Sequence, residues 1–409
     1  MYSKFISLVK TNPLRLLLIV FGILVLKEII YIQTFRDDVS PIADGYSEAN
    51  TIRGAVFFHE KGLMFHHGLA DIDYGDILLE RGTAKGKQPG TNSDGAYTHY
   101  PPGPEYVAWL GMYLIGVGHF NALRFIPIIL SILVGIFFIK THLELLEGTK
   151  GVLLVLALIL TPMYSNYMHG LHQQQYAFIM LQTQMCLAIS YLTKKKSHLY
   201  LLAFAVLGFI QGYMSFDFAF LATLFVIPFY IYFNASFFRM TLVGLASGLS
   251  FTAAHLLHFY QVVNYYGDFK TALNDFTDSA AHRSHNAEGF DKANPKYNPS
   301  EIGPFTVWKD FLYRVAGRGK YLAINLINFI WIILGLKFIK RITFKKGWSF
   351  EFEITGRDIL ALASAVVISG LWSIVMKQHA HIHGFIARHY FFAYYFCCLI
   401  LISRTKRVS

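Results

Sequence analysis

Charge is what this sequence has least of. Only 15% of its 409 residues are Asp, Glu, Lys or Arg, where a soluble chain carries about a quarter. The runs Leu14 to Leu26, Val152 to Leu160 and Ala361 to Val375 contain one charged residue between them, Arg15. Apolar stretches of about 20 residues read as bilayer-spanning helices, which excludes an ordinary soluble domain. Cysteine is scarce too. Cys186, Cys397 and Cys398 all fall in apolar segments, where a thiol is a small buried hydrophobe. No disulfide framework and no CxxC metal signal is present.

What charge there is leans basic, with a net charge of +11. A nucleic-acid partner does not follow, because the basic residues sit in short clusters between apolar runs. These are Lys4/Lys10/Arg15, Lys194 to Lys196, Lys337 to Lys346 and Arg404/Lys406/Arg407. Cytoplasmic loops of membrane proteins show this pattern. The first apolar run lacks a small-residue cleavage site and reads as an uncleaved anchor.

The pattern predicts an all-α polytopic membrane protein of about 10–11 membrane helices with two long outer-face loops. Residues 1–34 form the cytoplasmic N-terminus and first helix, interrupted by Lys27 and Glu28. Residues 35–104 form the first outer loop and 105–263 the main set of helices. Residues 264–320 form the second outer loop and 321–409 the last helices, with a basic, His-rich loop at 377–389. Placing the lysine clusters inside leaves one crossing too many among four apolar segments between 105 and 192. One of the four is expected not to span. No internal repeat is evident, which counts against inverted-repeat transporters.

Three polar stretches fall on the predicted outer face. Asp44 to Arg53 follows the first helix and predicts a short helix that stops at Gly62. Asp44 or Ser47 serves there as an N-cap or as part of a site. Tyr97 to Tyr106 carries three prolines and a glycine, a stiff lead-in with Pro104 suited to a first helical position. It fixes His99, Tyr100 and Glu105 at the membrane boundary. Lys377 to Tyr390 holds one Lys, one Arg and four His, against the positive-inside trend. An anionic ligand such as a lipid phosphate explains those charges. Bulk-lipid headgroups, or a transition metal on His379, His381 and His383, are the competing readings. Asp217, His169 and His172 with Gln173 to Gln175, and the pair His255/His258 are weaker candidates, with a turn or a satisfied polar pair as the plain alternative.

Taken together, the first two stretches resemble the GT-C membrane glycosyltransferases. The nearest branch is that of the protein O-mannosyltransferases and the aminoarabinose transferases of lipid A. The matching pieces are Asp44 with Glu48 and Arg53, Tyr100-Pro101-Pro102-Gly103-Pro104, and Phe120 to Phe125. Two departures stand out: Gly45 replaces an acidic neighbour of Asp44, and no second acid follows the fourth or fifth segment, where Tyr164 to Asn166, His169 and His172 stand.

The resemblance implies a GT-C-like bundle and transfer of a sugar from a polyprenyl-phosphate donor to a lipid, glycan or protein acceptor at the outer face. The expected setting is a bacterial or archaeal cytoplasmic membrane, and a single displacement implies inversion. Asp44 is expected as the base and Glu48 as second choice. Arg388, Lys377, His379, His383 and His99 are expected at the donor phosphate. Tyr100, Glu105, His169 and His172 are expected toward the acceptor. No cofactor and no metal is expected. A transporter or flippase for an anionic substrate is the alternative, and a membrane metal enzyme a third.

Overall fold

The structure, a computed structural model, describes residues 12–34, 45–74, 96–165, 168–193, 198–284, 341–344, 348–376 and 388–408. Among the described residues the fold is helical except for one small sheet. Helix α1 (Pro13–Ile32) starts where sequence rules place it: Asn12 accepts a hydrogen bond from the Arg15 amide, and Pro13 opens the first turn. Helix α2 (Gly45–Lys61) ends at Gly62, whose φ of 86° is left-handed, as the expected stop requires.

Helix α3 (Gly103–Ile115) follows the proline lead-in, with Pro104 in its first turn. The chain continues through α4 (Phe120–Leu123), α5 (Phe125–Leu145), α6 (Thr149–Ile159), α7 (Pro162–Ser165) and α8 (Gln173–Thr193). Next come α9 (His198–Met214), α10 (Ala219–Leu224), α11 (Val226–Phe233), α12 (Phe237–Tyr266) and α13 (Phe269–Ser284). Helices α14 (Gly356–Val375) and α15 (Tyr390–Arg404) complete the described bundle. The expected segment 321–336 and the loop 377–387 lie outside the described residues.

The bundle wears its apolar residues on the outside. Ile19, Ile23, Ile30, Leu133, Leu202, Leu249 and Leu256 are exposed along α1, α5, α9 and α12. A belt of this kind on a water-soluble protein is an aggregation hazard, whereas in lipid it costs nothing. Among the described residues, Phe120–Leu145 and Phe237–Tyr266 are long and apolar enough to cross a membrane by length and composition. The core within is dominated by aromatics of α8, α11 and α15, such as Phe178, Phe229, Phe392 and Tyr395.

The two ends of the bundle are built differently. At one end a three-stranded antiparallel sheet joins β1 (Arg341–Phe344), β2 (Trp348–Phe352) and β3 (Thr405–Val408) in that order. Phe350 faces Ile342 on one side and Arg407 on the other. The expected basic loop at 337–346 is thus strand in part, a detail foreshadowed by the alternation of Trp348, Phe350 and Phe352. The Lys150 ammonium donates to the Ser403 carbonyl at 2.8 Å, and Tyr232 donates to the Ser403 hydroxyl at 2.9 Å. These bonds hold the start of α6 and the end of α11 at this end.

The opposite end receives the C-termini of α1, α9 and α12 and the N-termini of α3, α5, α8 and α15. Helix α3 begins and finishes there. Its Gly103 abuts the backbone of Tyr213 at the end of α9, and its Gly111 abuts Leu123 and Ile126 at the start of α5. Thirteen residues span only about 20 Å at 1.5 Å each, and both ends of this helix meet one end of the bundle.

Candidate active site

The polar end buries more charge than an apolar bundle carries without reason. Helix α2 is anchored by a fully buried ion pair. Arg124, at the junction of α4 and α5, donates through Nε and Nη2 to the two oxygens of Glu48, each at 3.2 Å. Its Nη1 also reaches Asn121 at 2.5 Å. Paired contacts of this kind fix orientation as well as charge. Glu48 thus has both oxygens engaged and holds α2, with Asp44 just before its start, on the body of the bundle.

A second chain of bonds runs between elements far apart in sequence. His172 Nδ1 lies 2.8 Å from Gln174 Oε1, and the Gln174 amide donates to Asp217 at 3.1 Å. The Tyr100 hydroxyl reaches the other Asp217 oxygen at 3.4 Å. All four residues are buried. The Asp217 amide donates to Ser215 Oγ at 3.1 Å, which fixes the turn that carries it. The carboxylate is left to gather the proline lead-in and the start of α8.

The charged interruption in α1 is explained by a third group. Glu28 is buried, and its Oε2 lies 2.6 Å from His169 Nδ1 while Oε1 lies 3.2 Å from the Lys27 ammonium. Lys27 also donates to the Ser165 carbonyl at 3.4 Å. Charges of opposite sign are tolerated at membrane depth when they pair with one another.

Arg388 enters beside these groups. It precedes α15, is 2% exposed, and its guanidinium lies 5.6 Å from the Phe178 ring of α8. Phe178 is one helical turn beyond Gln174, so the cation and the Asp217 chain share one side of α8. His389 packs edge-on to Phe218, the neighbour of Asp217, at 4.5 Å. Arg388 is thereby held next to the buried polar chain rather than out among headgroups.

Glu105 is placed differently. It sits in the first turn of α3, 7% exposed, and among the described residues its Oε2 has no hydrogen-bond partner. A side chain at Gly54 of α2 would meet Glu105 Cγ at 2.7 Å, so only glycine lets the two helices close over it. Burial pushes this carboxyl up to about 7. The Tyr176 hydroxyl, also buried and without a hydrogen-bond partner among the described residues, lies within electrostatic reach of Glu105 and Glu48. His99 stands at the edge, half exposed, 3.6 Å from Asp275 of α13.

The structure therefore brings Tyr100 to Asp217, links His172 to the same carboxylate through Gln174, and sets Arg388 on the same side of α8. It pairs His169 with Glu28 and Glu48 with Arg124. Asp44, Lys377, His379, His381 and His383 lie outside the described residues. Among the described residues no group of three His, Cys, Asp or Glu side chains is placed to hold a metal. Gln174 belongs to the Gln173 to Gln175 stretch expected among the weaker candidates, whereas Arg124 was missed as a site residue. The signal for Arg124 was a lone cation opening an apolar helix.

Residues 99–258 match the family model described as dolichyl-phosphate-mannose-protein mannosyltransferase. That span begins in the proline lead-in and ends at His258, whose Nε2 lies 2.9 Å from the Thr98 carbonyl. The crystal structure of ArnT from Cupriavidus metallidurans bound to undecaprenyl phosphate is similar to the chain at 13% identity and a TM-score of 0.46. The match covers 95% of this chain and 78% of that one. No curated protein matches the sequence. Over residues 99–258 the chain is similar to the dolichyl-phosphate-mannose-protein mannosyltransferase family model, in agreement with the GT-C resemblance of its motifs.

Proposed function

We propose that the chain is a membrane glycosyltransferase that moves a sugar from a polyprenyl-phosphate donor to an acceptor at the outer face, with inversion. The observation that carries this reading is Arg388, buried beside the Tyr100–Asp217–Gln174–His172 chain inside the family-matching part of the bundle. A lipid-borne phosphate has to approach from the membrane. A buried guanidinium at the end of a bundle with apolar walls is suited to meet it.

In the proposed reaction an acceptor oxygen attacks the anomeric carbon, and the bond from that carbon to the phosphate oxygen breaks. The phosphate leaves with the electron pair, and its growing charge is stabilised by Arg388, with Lys377, His379 and His383 of the same loop as further donors. The acceptor proton passes to a carboxylate. Asp44 is assigned this role, because Glu48 is held on both oxygens by Arg124. Tyr100, His172 and Glu105 orient the acceptor, and His169 steadies α1 through Glu28.

The test is transfer by the purified full chain, given a polyprenyl-phosphate sugar, with and without a chelator. Glycoside product that survives chelation and is lost in Asp44→Asn supports the reading. Absence of product with every donor and acceptor offered, together with movement of the lipid across vesicles, overturns it in favour of the flippase alternative.

A further inference from the structure

Helix α2 carries a cation that the site above leaves unused. Three arginines are buried among the described residues: Arg53, Arg124 and Arg388. Arg124 has Glu48, and Arg388 lies over the Phe178 ring. Arg53 is 9% exposed, yet among the described residues it has no hydrogen-bond or ion-pair partner. Asn50, one turn earlier on the same face, is 7% exposed and likewise makes no side-chain hydrogen bond among the described residues. The other acids of this helix are occupied: Glu48 by Arg124, and Glu60 by the Tyr74 hydroxyl at 2.7 Å.

A guanidinium taken from water without a counter-charge costs several kcal/mol. A fold retains such a charge when a ligand supplies the anion. The planar donor fork of arginine fits the paired oxygens of a phosphate or carboxylate, and an amide beside it adds a neutral donor. We propose that Arg53, with Asn50, is the subsite for an oxyanion carried by the acceptor. The assignment to the acceptor rests on the transferase reading and on placement. Arg388, the proposed donor-phosphate group, precedes α15 and lies over Phe178 of α8, whereas Arg53 stands on α2, the helix that follows Asp44 in sequence and packs on α3. The acceptor is accordingly an anionic molecule, bearing a phosphate or carboxylate near the hydroxyl that receives the sugar.

The probe is inorganic phosphate, titrated against chloride at fixed ionic strength into the detergent-purified full chain, with thermal stability as the readout. Phosphate is expected to stabilise the wild type, and Arg388→Gln should keep the part of that stabilisation that depends on Arg53. In Arg53→Gln the apparent affinity should fall by about tenfold to a hundredfold, as expected for loss of a charged hydrogen-bonding partner. Arg53→Lys should fall in between, which keeps the comparison readable where the glutamine variant folds poorly. A polyprenyl phosphate tests the other source of the same chemistry: its binding should weaken in Arg388→Gln and hold in Arg53→Gln. Phosphate stabilisation unchanged in Arg53→Gln overturns the subsite. Polyprenyl-phosphate binding lost equally in both variants overturns the acceptor assignment and makes Arg53 part of the donor site. Phosphate binding that requires Arg53 in a protein yielding no glycoside sinks the transferase reading while leaving the anion site in place.

Discussion

The two ends of the bundle each hold an arginine on a buried carboxylate, and the pairs differ in what surrounds them. At the polar end Arg124 and Glu48 are both 0% exposed. At the sheet end Asp358 is 0% exposed, but its partner Arg404 is 35% exposed and meets water. Asp358 also closes a capping box with Thr355, accepting from its amide at 2.9 Å. The sheet-end pair is therefore a helix cap reinforced by a half-solvated cation. The polar-end pair is a charge sealed in the interior that no helix terminus requires. Burying a pair that way is seldom the most stable solution. Its location at the end that also buries Glu105, Tyr176 and Arg53 argues that the interior charge is kept for what the polar end does. The sheet end carries its charge where water and topology favour it.

The largest separation between the ends should appear in activity. Under the proposed function, Arg388→Ala should lower transfer by about a hundredfold or more, as removal of a group that stabilises developing charge does. Arg388→Lys should recover only part, because a point charge lacks the paired geometry. Arg404→Ala at the sheet end should leave turnover per folded molecule unchanged. Equal losses at both ends would erase the distinction drawn here.

Stability should separate them next. Arg124→Ala leaves Glu48 buried and unpaired and should cost about 3–5 kcal/mol, read as a large fall in melting temperature. Arg124→Met combined with Glu48→Leu should recover most of the loss, since replacing both partners removes the stranded charge. Arg404→Ala should cost only about 1 kcal/mol after allowance for its solvent exposure, because Asp358 keeps its Thr355 bonds.

A pH titration sharpens the comparison further. Glu105 is raised to about 7 in the fold from an ordinary 4.5. Between those values the folded state holds a proton that the unfolded chain has released. Stability contributed by the neutral acid is therefore full below about pH 4.5 and declines as pH rises toward 7. The decline amounts to about 3 kcal/mol at 1.36 kcal/mol per unit. Glu105→Gln should flatten that slope, whereas Glu353→Gln at the sheet end should not change it. A slope unaltered by Glu105→Gln would mean that the carboxyl is solvated and ionised.

Much of the skeleton was legible in the residues. The stop at Gly62 and the proline lead-in to α3 are local effects, each decided by one or two residues acting on the adjacent backbone. The placement of α3 was not legible, because it depends on the Gly103 and Gly111 contacts with α9 and α5. The pairings of the polar end were not legible. Glu48 and Arg124 are 76 residues apart, and Glu28 and His169 are 141 apart. Hydropathy says that a charge lies in an apolar setting; it does not say which distant charge answers it. Asp217 read as a turn residue for the same reason, since its partners Tyr100 and Gln174 come from two other elements.

The smallest effect is the most direct check on the argument from burial. Lys406 and Glu353 at the sheet end approach to 2.7 Å, closer than Arg124 and Glu48 at 3.2 Å. Ranked by distance alone, the Lys406 pair is the stronger. Its two side chains are 61% and 55% exposed, so water screens their attraction and both lose rotamer freedom in meeting. Lys406→Ala is therefore expected to shift stability by less than about 0.5 kcal/mol. Raising the salt concentration should erase even that difference, because exposed charges are screened over about 10 Å at 0.1 M. The Arg124 pair, closed to ions, should keep its full cost under the same conditions. A Lys406→Ala loss comparable to that of Arg124→Ala, or a matching salt response in both, would show that distance rather than burial governs these pairs.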